Sequence, residues 1–204
     1  MLLQVAGKGL IGAGGTIGSA IEKELAPRHD IVRIGRNSGD EHVDISDSAS
    51  IRKLFERTGS FDALVCAAGN VTFAPLAEMT EDAFALGLRD KLMGQVNLLL
   101  IGREFANDGA SFTFTTGVLS HDPIAKGASA SLVNGAIDAF VRAAAIELPR
   151  GMRINSVSPT VLVEAMGSYA PYFRGYKPVP AADVALAYAK SVEGLQTGQT
   201  YHVG

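Results

Sequence analysis

The segment Ile11-Gly12-Ala13-Gly14-Gly15-Thr16-Ile17-Gly18 constrains this chain more than any other. Glycines stand at 12, 15 and 18, an apolar run precedes them, and helix-forming residues from Ser19 to Ala26 follow. A strand that feeds a glycine-rich turn into a helix N-terminus builds a phosphate site, because backbone N–H groups and the helix dipole favour negative charge there. In such a turn Gly12 permits the tight bend, Gly15 the close approach of a ligand, and Gly18 the packing of helix on strand. Just upstream, Gly7-Lys8-Gly9-Leu10-Ile11-Gly12 also spells G-x-G-x-x-G. A helix begun there would carry Gly12, Gly14 and Gly15 in its opening turns, each at a cost of about 1 kcal/mol relative to alanine. We therefore place the turn at 12–18, with Thr16, Ile17 and Gly18 opening the helix. The first strand, expected at 4–11, then includes Gly7 and Gly9, which weaken it.

A chain of 204 residues with 47% apolar and 19% charged residues can bury one substantial core and needs no second one. We expect a single domain over 1–204. The net charge of −3 gives no reason to expect nucleic acid or an acidic membrane as a partner. No apolar run approaches the ~18 residues of a membrane span, and the N-terminus lacks the pattern of a secretion signal. Cys66 is the only cysteine and sits in an apolar run, as a buried inert thiol does. The expectation is a cytoplasmic protein with no disulfide and no metal site.

Short apolar runs alternate with longer segments of helical period. Strands are expected at 4–11, 31–34, 63–67, 111–115, 153–157 and 200–203, with a short one at 42–44. Helices are expected at 16–26, 48–57, 81–107, 129–148 and 181–192. Runs such as Leu64-Val65-Cys66 are apolar on both faces, which suits strands covered from both sides. Alternation of this kind gives an α/β fold, a doubly wound parallel sheet of about seven strands with helices on both faces. The helix from Glu81 has apolar positions on more than one face, so it packs in the interior or at a subunit interface. Residues 170–180, rich in proline, glycine and aromatics, read as a loop.

If the first turn holds a pyrophosphate, the end of the second strand meets the adenosine ribose. The chain there reads Gly35-Arg36-Asn37-Ser38. An acidic residue would bind the ribose 2′-hydroxyl; Arg36 instead offers a charged planar fork suited to a 2′-phosphate, and Ser38 a hydroxyl. This favours NADP(H) over NAD(H), against the plainer reading of a solvated arginine. Asp44, in Val43-Asp44-Ile45, either accepts from the adenine amino group or caps the turn before the next helix.

Taken together, the glycine turn, Gly35-Arg36, Val43-Asp44-Ile45, Cys66-Ala67-Ala68-Gly69, Arg153-Ile154-Asn155-Ser156-Val157-Ser158-Pro159, Asp183-Val184-Ala185 and Thr197-Gly198-Gln199 resemble the short-chain dehydrogenase/reductase family. The resemblance covers essentially the whole chain, which is short for that family. It implies a Rossmann-type sheet, a dinucleotide laid across the strand ends, and a homodimer or homotetramer. It adds Asn37, Ile45, Ala67, Ala68, Gly69, Lys91, Pro159, Thr160 and Val161 to the cofactor-binding candidates Gly12, Gly15, Thr16, Ile17, Gly18, Arg36, Ser38 and Asp44.

The resemblance also implies four catalytic positions: a tyrosine acid, a lysine four residues later, a serine on the preceding strand end and an asparagine in the central helix. Aligned on Gly135-Ala136-Ile137-Asp138-Ala139-Phe140, these fall at Ala130, Asn134, Thr116 or Gly117, and Lys91. None carries the usual residue, and an alanine donates no proton. Losing a positioned general acid costs about 10²–10⁴-fold in rate. Thr116, Lys91 and Ser129 are the remaining candidates for the chemistry. His121 and Asp122, and Tyr169, Tyr172 and Tyr176 in the loop over the substrate pocket, are further polar groups, set against loop and packing roles.

Two functions compete. One is an NADP(H)-dependent oxidoreductase with a rearranged active site, acting on a small carbonyl or alcohol. The other is a non-catalytic NADP(H)-binding or cofactor-sensing protein. A hydrolase has little support: no histidines stand at i, i+4 and no G-x-S-x-G is present.

Overall fold

Strand β1 (Gly7–Ile11) holds both glycines that the sequence left as a weakness, and the packing around Gly9 is tight. A Cβ on Gly9 would stand 3.0 Å from Leu64 Cδ1 and 3.3 Å from Ile34 Cδ1. The computed structural model describes residues 7–204, so the expected strand start at 4–6 lies outside the described residues.

Seven parallel strands follow the order β3-β2-β1-β4-β5-β6-β7. They are β1, β2 (Ile31–Gly35), β3 (Glu41–His42), β4 (Phe61–Cys66), β5 (Ala106–Thr115), β6 (Arg153–Pro159) and β7 (Thr200–Val203). The order turns outward in opposite directions from β1 and β4, which opens a crevice beyond their carboxyl ends. Helices α1 (Thr16–Leu25) and α7 (Ala181–Glu193) cover one face. There Ile21 and Leu25 meet Val184 and Tyr188 over Leu10 and Val65. The other face carries α2 (Ser48–Thr58), α4 (Met93–Gly102) and α5 (Ala128–Glu147). Its core joins Phe55, Leu98 and Ile137 to Phe112 and Phe114 of β5. Burial of each such side chain is worth about 1.5–3 kcal/mol.

Strands β4, β5 and β6 run 61–66, 106–115 and 153–159 against the expected 63–67, 111–115 and 153–157, and the larger departures lie in the long helix and the short strand. The expected helix 81–107 is three segments: α3 (Glu81–Gly87), a π-helical turn (Leu88–Leu92) and α4. Thr80 caps α3 by accepting from Ala83 N. Asn107 lies not in that helix but on β5, which begins at Ala106 and carries an irregularity against β4 around Gly109, where φ is +75°. The short strand is 41–42 rather than 42–44, because the Asp44 carboxylate turns back to accept from Ser46 N at 2.9 Å. A four-residue helix, α6 (Met166–Tyr169), precedes the 170–180 loop. Among the described residues no helix is long and apolar enough to cross a membrane.

Candidate active site

The β1–α1 connection has the geometry that its glycines suggest. Gly12 takes φ +85°, and a Cβ there would fall 2.7 Å from Ala67 O. A Cβ on Gly18 would overlap the Gly12 carbonyl oxygen, so α1 can sit on the turn only as glycine. The first helical bond runs from Ser19 N to Gly15 O at 2.8 Å. The amides of Thr16, Ile17 and Gly18 precede it, and no side chain caps the helix start. These donors and the positive end of the dipole suit a phosphate. Ser38 joins this cradle: its Oγ is 3.5 Å from where a Gly14 Cβ would be.

A cleft of about 240 Å³ opens beside the turn, with Ile11, Val43, Ile45, Ala68 and Asn70 among its lining residues. Arg36, at the end of β2, is the only cation among the described residues that line it, and it does not stand free. Its Nη2 donates to Asp44 Oδ1 at 2.8 Å and to Asp90 Oδ2 at 3.4 Å. Asp44 Oδ1 also accepts from Ser46 N and, at 2.7 Å, from Ser46 Oγ. The Ser46 bonds first, and Arg36 after them, hold the Asp44 carboxyl below the ordinary carboxylate value. Asp44 thus holds its own turn through Ser46, while the side chain that caps α2 is Asp47, which accepts from Ala49 N at 2.9 Å. Asn37 is exposed, and no side-chain bond ties it to the cleft.

Asp90 went unnoticed in the sequence. It is buried, and accepts from Asn70 N at 3.0 Å and Asn70 Nδ2 at 3.1 Å. The π-helical turn aims Asp90 and Lys91 into the site side by side, as such turns often do at functional sites. A 3.6-residue period carries no trace of it.

Lys91 reaches the other half of the site. Its Nζ donates to Asn134 Oδ1 at 2.7 Å and lies 3.5 Å from Thr116 O. Gly69, at φ +130°, admits this close approach, since a Cβ there would stand 2.7 Å from Lys91 Cγ. Burial pushes the Lys91 ammonium down to about 8, partly opposed by the negative charge of Asp138. Burial pushes the Cys66 thiol up to about 12, which keeps it protonated and inert. Asp138 is anchored by Ser156 Oγ at 2.8 Å.

Thr116 is buried at the end of β5, where its amide donates to Val157 O at 2.9 Å. The strand end is braced by Gln95, a residue the sequence did not single out. Gln95 Nε2 donates to Thr115 O at 3.1 Å, and its Oε1 accepts from Thr115 N at 2.9 Å. Gly117 leaves room for the amide beside it; a Cβ there would be 3.1 Å from Asn134 Nδ2.

The remaining candidates stand around this cluster and beyond it, and the Pro159 carbonyl oxygen would lie 3.7 Å from a Cβ on Gly117. Ser129 Oγ faces Gly87 of α3 rather than the Lys91 cluster, because α5 packs on α3 at that point. Ser129 and Ser131 hydroxyls are buried without a hydrogen-bond partner. Ala130 is walled by Leu119, Val161 and Phe173. Val161 therefore belongs to an apolar cluster, Pro159 ends β6, and Thr160 N is taken by Val203 O at 2.9 Å. His121 meets the ring of His202 edge-on, with centroids 4.7 Å apart. Tyr176 OH donates to the Asp122 carbonyl at 3.1 Å. Tyr169 and Tyr172 form, with Phe73, Ile124 and Lys126, a groove of about 150 Å³.

A seven-stranded parallel sheet with a glycine cradle at its divide is the architecture of proteins that take a dinucleotide across the strand ends. A family model described as enoyl-(acyl carrier protein) reductase matches residues 22–203. The crystal structure of the protein lin1944 from Listeria innocua is 50% identical, with a TM-score of 0.96 over 98% of this chain and 100% of that one. A small-chain dehydrogenase in complex with NADPH is 26% identical, with a TM-score of 0.86 over 97% of this chain and 96% of that one. L-xylulose reductase of Bos taurus is 27% identical over 192 residues, 83% of this chain and 78% of that protein. The match to L-xylulose reductase of Mesocricetus auratus, 26% identical, spans 53% of that protein, about half its length. The chain belongs to the short-chain dehydrogenase/reductase family.

Proposed function

We propose that the protein is an NADP(H)-dependent oxidoreductase acting on a small carbonyl or alcohol through a rearranged active site. The observation that carries this reading is the Lys91–Asn134 pair. The family resemblance gives an asparagine to the central helix and a lysine to α5; this chain has Lys91 and Asn134 at those positions, in contact at 2.7 Å. The cation is kept at the strand ends but comes from the opposite helix.

The residues present fit a dinucleotide. Gly12, Gly15 and the amides of Thr16 to Gly18 would hold the pyrophosphate, and Val43, Ile45 and Ala68 would flank the adenine. Arg36 and Ser38 would meet the 2′ side of the ribose, and the NADPH-bound relative supports that cofactor class. When bound, the nicotinamide supplies or accepts the hydride. Asn134 and the Thr116 carbonyl orient Lys91, which holds its proton at Nζ, and Gln95 fixes the strand end on which Thr116 sits. The buried free thiol of Cys66 supports a cytoplasmic protein, and the family pattern supports a homodimer or homotetramer.

A second reading, a cofactor-sensing protein without turnover, draws on Ala130, which is walled by apolar side chains where the family has its acid. Calorimetric titration with NADPH and NADH, followed by loss of reduced-cofactor absorbance over a panel of small aldehydes and ketones, separates the two. Binding with turnover is the expected result. Binding without turnover leaves the sensing reading, and binding of neither cofactor overturns both.

A further inference from the structure

We infer that Asp90 sets the cofactor preference of this site, by holding Arg36 between two carboxylates and by standing as a negative charge where a 2′-phosphate must arrive. The inference rests on the dinucleotide reading above.

Arg36 leaves the end of β2 and spans the cleft to the π-helical turn. One guanidinium faces two carboxylates, Asp44 at 2.8 Å and Asp90 at 3.4 Å, and among the described residues no other lysine or arginine lines the cleft. Around the Arg36 guanidinium itself two carboxylates face one cation, while the Lys91 ammonium turns away to Asn134, although an arginine occupies the position that selects NADP(H). The two carboxylates differ in setting. Asp44 side chain is 43% exposed and tied into its own turn by Ser46. The Asp90 side chain is 6% exposed, clamped by the amide and side chain of Asn70, and screened little by solvent. A 2′-phosphate must draw Arg36 away from these partners and then sit near a buried like charge. A ribose 2′-hydroxyl meets neither demand. Arg36 alone predicts a strong preference for NADPH; the triad predicts a modest one, with Asp90 as the group that holds it down.

Asp90→Asn is nearly isosteric, and its remaining oxygen can still accept from Asn70 N. Calorimetric dissociation constants for NADPH and NADH are measured on the unmodified protein and on this variant. The expected result is a shift of the ratio toward NADPH by at least about threefold, the scale of one ion pair with a half-exposed partner. NADH affinity stays within that factor. Asp90→Ser removes the same charge with a smaller polar group and shifts the ratio the same way, which keeps the test standing if Asp90→Asn does not fold; Asp44→Asn, which leaves Asp90 in place, shifts it less. An unchanged ratio, or a shift toward NADH, overturns the inference while leaving the cofactor reading intact. Binding of neither dinucleotide to the unmodified protein overturns both.

Discussion

Lys91 Nζ donates to Asn134 Oδ1 at 2.7 Å, so the ammonium of the π-helical turn and the amide of α5 form one unit at the end of β5. An amide acceptor fixes the direction of the ammonium without cancelling its charge. The carbonyl of Thr116, 3.5 Å away, adds a second negative dipole. If this unit provides the cation for catalysis, Lys91→Met removes it while keeping most of the stem volume. We expect a fall in turnover of about 10²-fold or more, the scale for a positioned proton-holding group. Lys91→Arg, which keeps the charge but not the length, should recover cofactor binding better than rate. Steady-state kinetics beside calorimetry reads both. Unchanged turnover in Lys91→Met would return this lysine to a structural role.

The same lysine predicts a dependence of stability on pH. Burial lowers its pKa from the ordinary 10.5 to about 8. Below pH 8 both folded and unfolded chains carry the proton, and the full desolvation cost opposes folding. Between about 8 and 10.5 the unfolded chain holds a proton that the folded chain has released, so this group makes stability rise with pH. Urea midpoints at pH 7 and pH 10 for the unmodified protein and Lys91→Met isolate it, since other groups are common to both. The difference should move in favour of the unmodified protein as pH rises. A difference that stays constant between the two pH values would mean that Lys91 is solvated.

The glycine turn and the strand alternation were legible because both rest on local chemistry. Gly12 and Gly18 are demanded by backbone approach, and the buried strands carry apolar runs. The site was legible only in part. Lys91, Thr116 and Asn134 were placed by resemblance, and the structure brings them together. Asp90, Gln95 and Asn70 were not found, because each acts through a partner distant in sequence. Asp90 meets Asn70 across 20 residues and Arg36 across 54. The π-helical turn that aims it has no hydrophobic period of its own. Ser129 misled for the complementary reason: its neighbour in sequence is Ala130, but its neighbour in space is Gly87.

Gln95 offers a test of how the strand end is held. It is wholly buried, and its amide occupies both the N–H and the carbonyl of Thr115. Gln95→Leu leaves those two backbone groups unsatisfied in the interior. We expect a loss of roughly 2–6 kcal/mol, from two buried groups at about 1–3 kcal/mol each. Because Thr116 and Gly117 follow directly, cofactor affinity should fall as well under conditions where the variant remains folded. Denaturant titration and calorimetry check the two effects separately. A loss under about 0.5 kcal/mol, the range of ordinary surface changes, would show that Thr115 needs no such brace.

The family pattern suggests restoring activity with Ala130→Tyr and Asn134→Lys, but the packing argues against that pair of changes alone. Ala130 is 3% exposed and abuts Leu119, Val161 and Phe173, so a phenol there overfills the cluster, at a cost of about 1–3 kcal/mol. A lysine at 134 would replace the acceptor of Lys91 Nζ with a second ammonium at close range. The double variant should therefore melt below the unmodified protein and reduce carbonyls no faster. Adding Lys91→Asn removes the repulsion and returns both residues to the family arrangement. The triple variant should thus be more stable than the double and should exceed it in carbonyl reduction. If the double variant gains activity by itself, the cluster around Ala130 yields more readily than its packing implies, and Lys91 is not the cation of this site.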